Sequence, residues 1–266
     1  MTLFKIFTST FDEEMKSRGF KRKGWLYYRL HGEMLQGVTL KTINPYTLHF
    51  HFQPYWKEEI IIESSRLDTR YWAEDGSVII PDYYAYFRRE NVQLNQDFMS
   101  ICFEIAKKHI LPVLDYVDSL DKYLEYFTPH WSGFNDERAH KIRVDFDPVE
   151  IDPRYAYLHI PYNYKKKISI VWKVFDFSYI YQAFLKYAID HSDIQKGYDL
   201  LCEKIKTLLG HVDPDYRAIE YYKEYLTEDG LERAKQLING RITTMKQRLK
   251  DELGLEVDIY ESDFPL

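Results

Sequence analysis

His49 and His51 form the sharpest chemical spacing in this 266-residue chain. On a strand, residues two apart share a face at about 7 Å, close enough for two imidazoles to grip one ion. A third ligand would have to come from elsewhere, and His130, His140, Asp145, Asp147 and His159 all lie near strand patterns. Asp145 and Asp147 flank Phe146 and can pair for Mg²⁺ or acid–base chemistry, although Arg143 shares their face and neutralises part of that charge. A metal-dependent nuclease of the PD-(D/E)xK kind also needs an acid two positions before a strand lysine, and Lys173 has Val171 there. The competing explanation is a polar sheet face opposite a Phe-rich one, which alternation alone produces. That explanation is adopted, with no metal and no cofactor expected. A metal-dependent enzyme assembled from His49, His51, Asp145 and His159 is kept as the alternative.

Other catalytic patterns fail on spacing. Gly19 and Gly24, like Gly32 and Gly37, have the Walker A separation, but Trp25 and Val38 stand where the phosphate-binding lysine belongs. No two glycines are two apart, so no dinucleotide fingerprint exists. His31-Gly32-Glu33 has the HxE of zinc deaminases, yet neither Cys102 nor Cys202 belongs to the required CxxC pair. Ser119-Leu120-Asp121-Lys122 matches the SxxK of serine acyl-enzymes without its companion motifs, which leaves an exposed helix face.

Composition narrows the partner class. Lys plus Arg is 36 against 42 for Asp plus Glu, a net charge of -6, without the basic excess that draws proteins to phosphate backbones. The triads Lys21-Arg22-Lys23 and Lys165-Lys166-Lys167 read as solvated turns before apolar strands. Nucleic acid is not expected as a partner. The longest uncharged stretch, Thr42 to Trp56, has 15 residues, short of the about 20 that a spanning helix needs, so no membrane span is expected. Two distant cysteines point to a reducing, cytoplasmic setting. With Tyr 24, Phe 16 and Trp 5, aromatics make up 17% of the chain. Four fall within five positions, Tyr83, Tyr84, Tyr86 and Phe87, beside Arg88 and Arg89: too many for one element to bury, and the residue types that anchor interfaces.

The elements that would carry these residues follow from periodicity. Leu3, Phe7, Phe11 and Met15 recur every four residues and predict a helix closed at Gly19. Trp25–Leu30, Glu33–Thr42 and Tyr46–Gln53 then alternate, with turns at His31-Gly32 and Asn44-Pro45, predicting an antiparallel meander with one buried face. Glu59–Glu63 and Val78–Ile80 are further strand candidates. Two helices follow, one stopping before Pro112 and one from Val113 to Phe127. A boundary is expected near residue 128, giving regions 1–128 and 129–266. Beyond it, strands are predicted at Ile142–Phe146 and Tyr155–Ile160, with a central one at Ile168–Phe175. Helices come next, capped by Ser178, Ser192, Asp213 and an Asp229/Glu232 box, before a short edge strand from Leu255 to Tyr260. The fold class is α+β: an antiparallel sheet covered by helices, with a helix-rich C-terminal region.

The run Gly19-Phe20-Lys21-Arg22-Lys23-Gly24-Trp25-Leu26-Tyr27-Tyr28-Arg29 resembles a bacterial domain-of-unknown-function family. Its members begin with a helix, a Gly-Phe-x-x-x-Gly turn and an aromatic strand ending in Arg. The resemblance covers about the first 128 residues and implies a cytosolic α+β module without assigned catalysis, some relatives acting as immunity-type partners of bacterial toxins. It carries over no functional residues. The function expected is that of a non-catalytic, protein-binding module.

Overall fold

A computed structural model describes residues 1–41, 47–57, 65–68, 71–72, 78–79, 92–125, 144–145, 169–172, 177–206 and 217–257. Helix α1 (Leu3–Ser17) buries Leu3, Ile6, Phe7, Phe11 and Met15, the stripe its spacing predicts. At its end the Phe20 amide donates to the Met15 carbonyl (2.9 Å) and the Gly19 amide to that of Lys16 (3.0 Å). This is the paired-bond cap that a left-handed residue at Gly19 makes possible.

The chain then builds one antiparallel sheet. Its strands are β1 (Lys21–Lys23), β2 (Leu26–His31), β3 (Met34–Lys41), β4 (Thr47–Pro54), β5 (Ser65–Asp68), β8 (Val144–Asp145) and β9 (Ser169–Trp172), while β6 (Tyr71–Trp72) and β7 (Val78–Ile79) pair separately. The order is β1-β2-β3-β4-β5-β9-β8, so strands from both sides of residue 128 enter one sheet and β9 lies between two neighbours. Pairing Tyr27 with Val38 and Val38 with Phe50 sets the register. Because side chains alternate, Tyr27, Arg29, Gln36, Val38, Phe50 and Phe52 share one face; Tyr28, Leu35, His49, His51 and Gln53 share the other. The first face meets α1, where the Tyr27 ring lies 5.3 Å from Phe7 and 6.5 Å from Phe11.

The expectation of one buried face needs correction. His49, His51 and Gln53 are 4%, 2% and 2% exposed, so the polar face is interior as well. The chain's last long helix covers part of it: the Tyr28 hydroxyl donates to the Leu253 carbonyl (2.8 Å), and Leu253, Gly37, His51 and Gln53 line one small crevice.

Helix α2 (Val92–Ile105) does not stop before Pro112. It runs through a wider π-helical turn at Ala106–Ile110 into α3 (Leu111–Tyr116), with Pro112 in the first turn of α3. A proline inside a regular helix clashes with the carbonyl four residues back, and the extra residue of a π turn shifts that carbonyl aside. The break falls instead at Val117–Ser119, before α4 (Leu120–Glu125). The C-terminal part is helical: α5 (Phe177–Asp190), α6 (Ile194–Lys206), α7 (Arg217–Lys223) and α8 (Gly230–Leu253), with α5 packed against the other three.

Three of the expected caps differ. Ser178 lies inside the first turn of α5. Asp193, not Ser192, caps α6, its carboxylate accepting from the Lys196 amide at 3.0 Å. Ser192 instead closes α5 at φ 53°, in the left-handed region. Asp229 sits at the N-cap of α8, but its carboxylate accepts from the Thr227 hydroxyl (2.7 Å) and Glu232 pairs with Lys235, so no capping box forms. Glu59–Glu63, Tyr155–Ile160 and Asp213 lie outside the described residues.

Gly197 fixes how closely α5 and α6 approach. A methyl group there would come within 2.6 Å of the Phe184 carbonyl oxygen and 2.7 Å of the Ala188 Cβ. Neither can move without shifting α5. Gly197→Ala is therefore expected to destabilise by about 1–3 kcal/mol, while Ser192→Gly, which relieves the left-handed strain, stabilises by about 0.5–1 kcal/mol. Urea denaturation of both variants checks the pair of opposite signs.

Candidate functional site

The β2–β3 hairpin gathers residues singled out for chemistry and uses them to hold structure. His31 Nε2 lies 2.9 Å from the Asp115 carbonyl oxygen. The Glu33 amide donates to the Asp118 carbonyl (2.7 Å), and Glu33 Oε2 accepts from the Leu120 amide (2.8 Å), capping α4 from across the fold. Gly32 between them has φ 54°, and any side chain there would overlap the Asp118 backbone. Ser119 Oγ accepts from the Lys122 amide at 3.5 Å, while the Lys122 ammonium reaches Asp118 (2.9 Å) and lies over the Tyr116 ring. The SxxK pattern is thus the start of a helix whose lysine reaches a carboxylate.

Beside the hairpin, Arg29 is 8% exposed, and each of its three guanidinium nitrogens donates a hydrogen bond. It donates to Gln36 Oε1 (2.8 Å), the Arg18 carbonyl (2.6 Å) and Asp115 Oδ1 (2.6 Å), and lies 4.3 Å above the Phe20 ring. Burial lowers its pKa, and the Asp115 carboxylate opposes that shift. Gln36 Nε2 donates to the Leu114 and Val117 carbonyls at 2.5 and 2.8 Å. Asp115 also pairs with Arg18, and Arg18 with Glu14.

His49 and His51 do share a face, their rings nearly parallel with centroids 6.2 Å apart. Asp145 is not beside them: β5 and β9 intervene between β4 and β8, which separates the backbones by roughly 14 Å. His159 lies outside the described residues, as do Tyr83, Tyr84, Tyr86, Phe87, Arg88 and Arg89. No group of three or more His, Cys, Asp or Glu side chains suited to a metal ion occurs among the described residues.

The basic run Lys21-Arg22-Lys23 is an exposed edge strand, not a turn. Lys23 and Lys21 donate to the Glu252 (2.8 Å) and Gly254 (3.3 Å) carbonyls at the end of α8, and Arg22 pairs with Asp12 (3.1 Å). An open groove of about 710 Å³ lies beside these contacts, with Lys21, Arg29, Lys250 and Glu256 in its walls.

A second aromatic cluster escaped the sequence reading. Tyr181 of α5 touches Tyr221 of α7 (centroids 5.5 Å apart) and Tyr225 just beyond it (6.4 Å), and the Arg233 guanidinium of α8 lies 5.2 Å from the Tyr225 ring. Arg233 also donates to the Glu224 carbonyl, which holds its plane in place. Tyr221 is 41% exposed, and among the described residues only Met1 and Tyr116 are large hydrophobic side chains more open than it. The signal available was the four-residue spacing of Tyr221 and Tyr225; Tyr181, forty positions earlier, had no sequence mark linking it to them.

These features define an α+β protein whose sheet is covered by helices and whose C-terminal region is helix-rich. No protein-family model, curated protein or solved structure matches the chain. Among the described residues, no helix is long and apolar enough to cross a membrane.

Gln36 links the sheet to α3 through three hydrogen bonds. Gln36→Leu leaves two carbonyls and the Arg29 Nε without this partner, so a loss of about 2–4 kcal/mol is expected in chemical denaturation.

Proposed function

We propose that the chain is a non-catalytic, protein-binding module of the bacterial cytoplasm, and that Tyr181, Tyr221, Tyr225 and Arg233 form a surface on which its partner docks. The observation that supports this is the exposure of Tyr221 within a cluster whose rings already hold one another. Tyrosine and arginine are the side chains that most often dominate binding energy, and rings braced by neighbours lose little freedom when covered. The residues that looked catalytic, His31, Glu33, Ser119 and Lys122, have structural partners. The resemblance of the N-terminal run to the domain-of-unknown-function family suggests the partner class, a bacterial toxin countered by an immunity-type protein. Tyr83, Tyr84, Tyr86, Phe87, Arg88 and Arg89 are a second proposed contact.

A photoreactive phenylalanine analogue in place of Tyr221 tests the surface in the producing cell. A discrete protein adduct is expected, reduced about tenfold or more by Tyr225→Ala or Arg233→Ala, with thermal stability changed little. The same adduct from a probe at exposed Tyr116, or adducts indifferent to both substitutions, overturns the assignment.

The near-parallel His49 and His51 rings favour one other reading, a metal-dependent enzyme drawing further ligands, His159 among them, from the second half of the chain. Elemental analysis separates the two: stoichiometric zinc or manganese, lost in His51→Ala, replaces the binding-module reading.

A further inference from the structure

Glu33 stands where three parts of the fold meet. Its backbone belongs to the hairpin, Oε2 accepts from the Leu120 amide at the start of α4, and Oε1 lies 3.9 Å from the Lys186 ammonium of α5. That ammonium is closer to Asp190, at 2.6 and 2.7 Å from its two oxygens. One buried cation therefore faces two carboxylates, and the nearer one holds it. Among the described residues, Glu33 Oε1 is enclosed and accepts no hydrogen bond. Among the described residues, the other charged and titratable groups toward it are Asp121 of α4 and the buried Tyr55 at the end of β4; His31, on the same hairpin, reaches toward Asp115.

We propose that this junction is a proton-gated clasp, closed most firmly when Glu33 is protonated and released more readily when Glu33 is ionised. An ionised carboxylate with one oxygen bonded and the other enclosed gains hydration when the hairpin parts from α4. A neutral carboxyl has far less to gain, and its carbonyl oxygen still accepts from Leu120. Burial holds the Glu33 carboxyl above the usual carboxylate range in the closed state; the Leu120 amide and Lys186 pull it back, and Asp190 and Asp121 push it further up.

The sign follows from linkage. The closed state binds the proton more tightly than the open one, so the clasp is strongest below the ordinary glutamate range. It weakens as pH rises through the raised value. This runs opposite to a carboxylate that stabilises a fold through its charge.

Amide hydrogen exchange reads the clasp at Leu120, whose N–H donates to Glu33 itself. After correction for intrinsic exchange, Leu120 protection in the full chain is expected to fall as pH rises from about 4.5 to about 8. The fall is about tenfold for each unit by which the closed-state value exceeds the open-state one. The Phe20 amide, in the cap of α1, serves as the distant control and stays level. In Glu33→Gln, which keeps an acceptor oxygen and cannot ionise, the Leu120 slope disappears. Lys186→Met, by removing the cation, moves the midpoint to higher pH. A flat Leu120 profile in the native protein, or the same slope in Glu33→Gln, overturns the proposal.

Discussion

A helix that ends inside a protein leaves its last carbonyls facing a medium with no water to answer them. In this chain the end of α3 is such a place, and the sheet answers it. Gln36 donates to the Leu114 and Val117 carbonyls, His31 lies against that of Asp115, and the Glu33 amide donates to that of Asp118. Glu33 then turns to the next helix and accepts from its first amide. Both ends of the break between α3 and α4 are thereby closed by one hairpin. Arg29 keeps Gln36 in the required orientation by occupying its oxygen, so that its nitrogen faces the carbonyls. The whole arrangement is specific in a way that apolar packing is not, because each bond fixes both a distance and a direction.

The same problem recurs on the other face of the sheet, with a different solution. Helix α8 is 24 residues long and ends against β1 and β2. Its final carbonyls, of Glu252, Leu253 and Gly254, accept from Lys23, Tyr28 and Lys21. Cations at a helix C-terminus also complement the partial negative charge gathered there. Two helices distant in sequence are thus tied to one meander, α3 through neutral amides in the interior and α8 through lysines at a wet edge. The charged version suits the edge because an ammonium left in water costs nothing to desolvate. An amide suits the interior because it can be satisfied completely.

This division explains what was legible in the residues and what was not. The period-four stripe of α1, the alternation of β2 to β4, and the turn at Gly32 are local patterns, and each appears where its spacing puts it. Burial of the second sheet face is not local. It depends in part on α8, two hundred positions away, and alternation of polar and apolar residues at His49, His51 and Gln53 looks the same whether the polar side meets water or protein. The break after Val117 was equally hidden. Pro112 is the stronger signal in sequence, but a π turn absorbs it, whereas the real break lies where Gln36 and the Glu33 amide donate to the Val117 and Asp118 carbonyls. Capping went astray for a related reason: Ser192 and Asp193 are adjacent and both can cap, and only the closing geometry of α5 decides which one takes the left-handed position.

The docking of helices on the sheet also bears on where function can reside. His31, Glu33, Gln36 and Arg29 belong to the structure because removing any of them leaves buried polar atoms without partners. Tyrosine escapes that constraint. Its ring can pack without a directional bond, so a chain holding 24 of them can seat some in the core, as with Tyr27 and Tyr222, and leave others at the surface. Tyr222 shows the interior use: its hydroxyl donates to the Ile194 carbonyl, and burial pushes its pKa up. Tyr221, its neighbour in sequence, points away from that contact and stays open beside Tyr181. Adjacent positions on α7, about 100° apart around the helix, thus have different surroundings, the inner ring closing the contact at Gly197 and the outer one open beside Tyr181. Both rings stand on a firm base, because α5 packs against α6, α7 and α8 together.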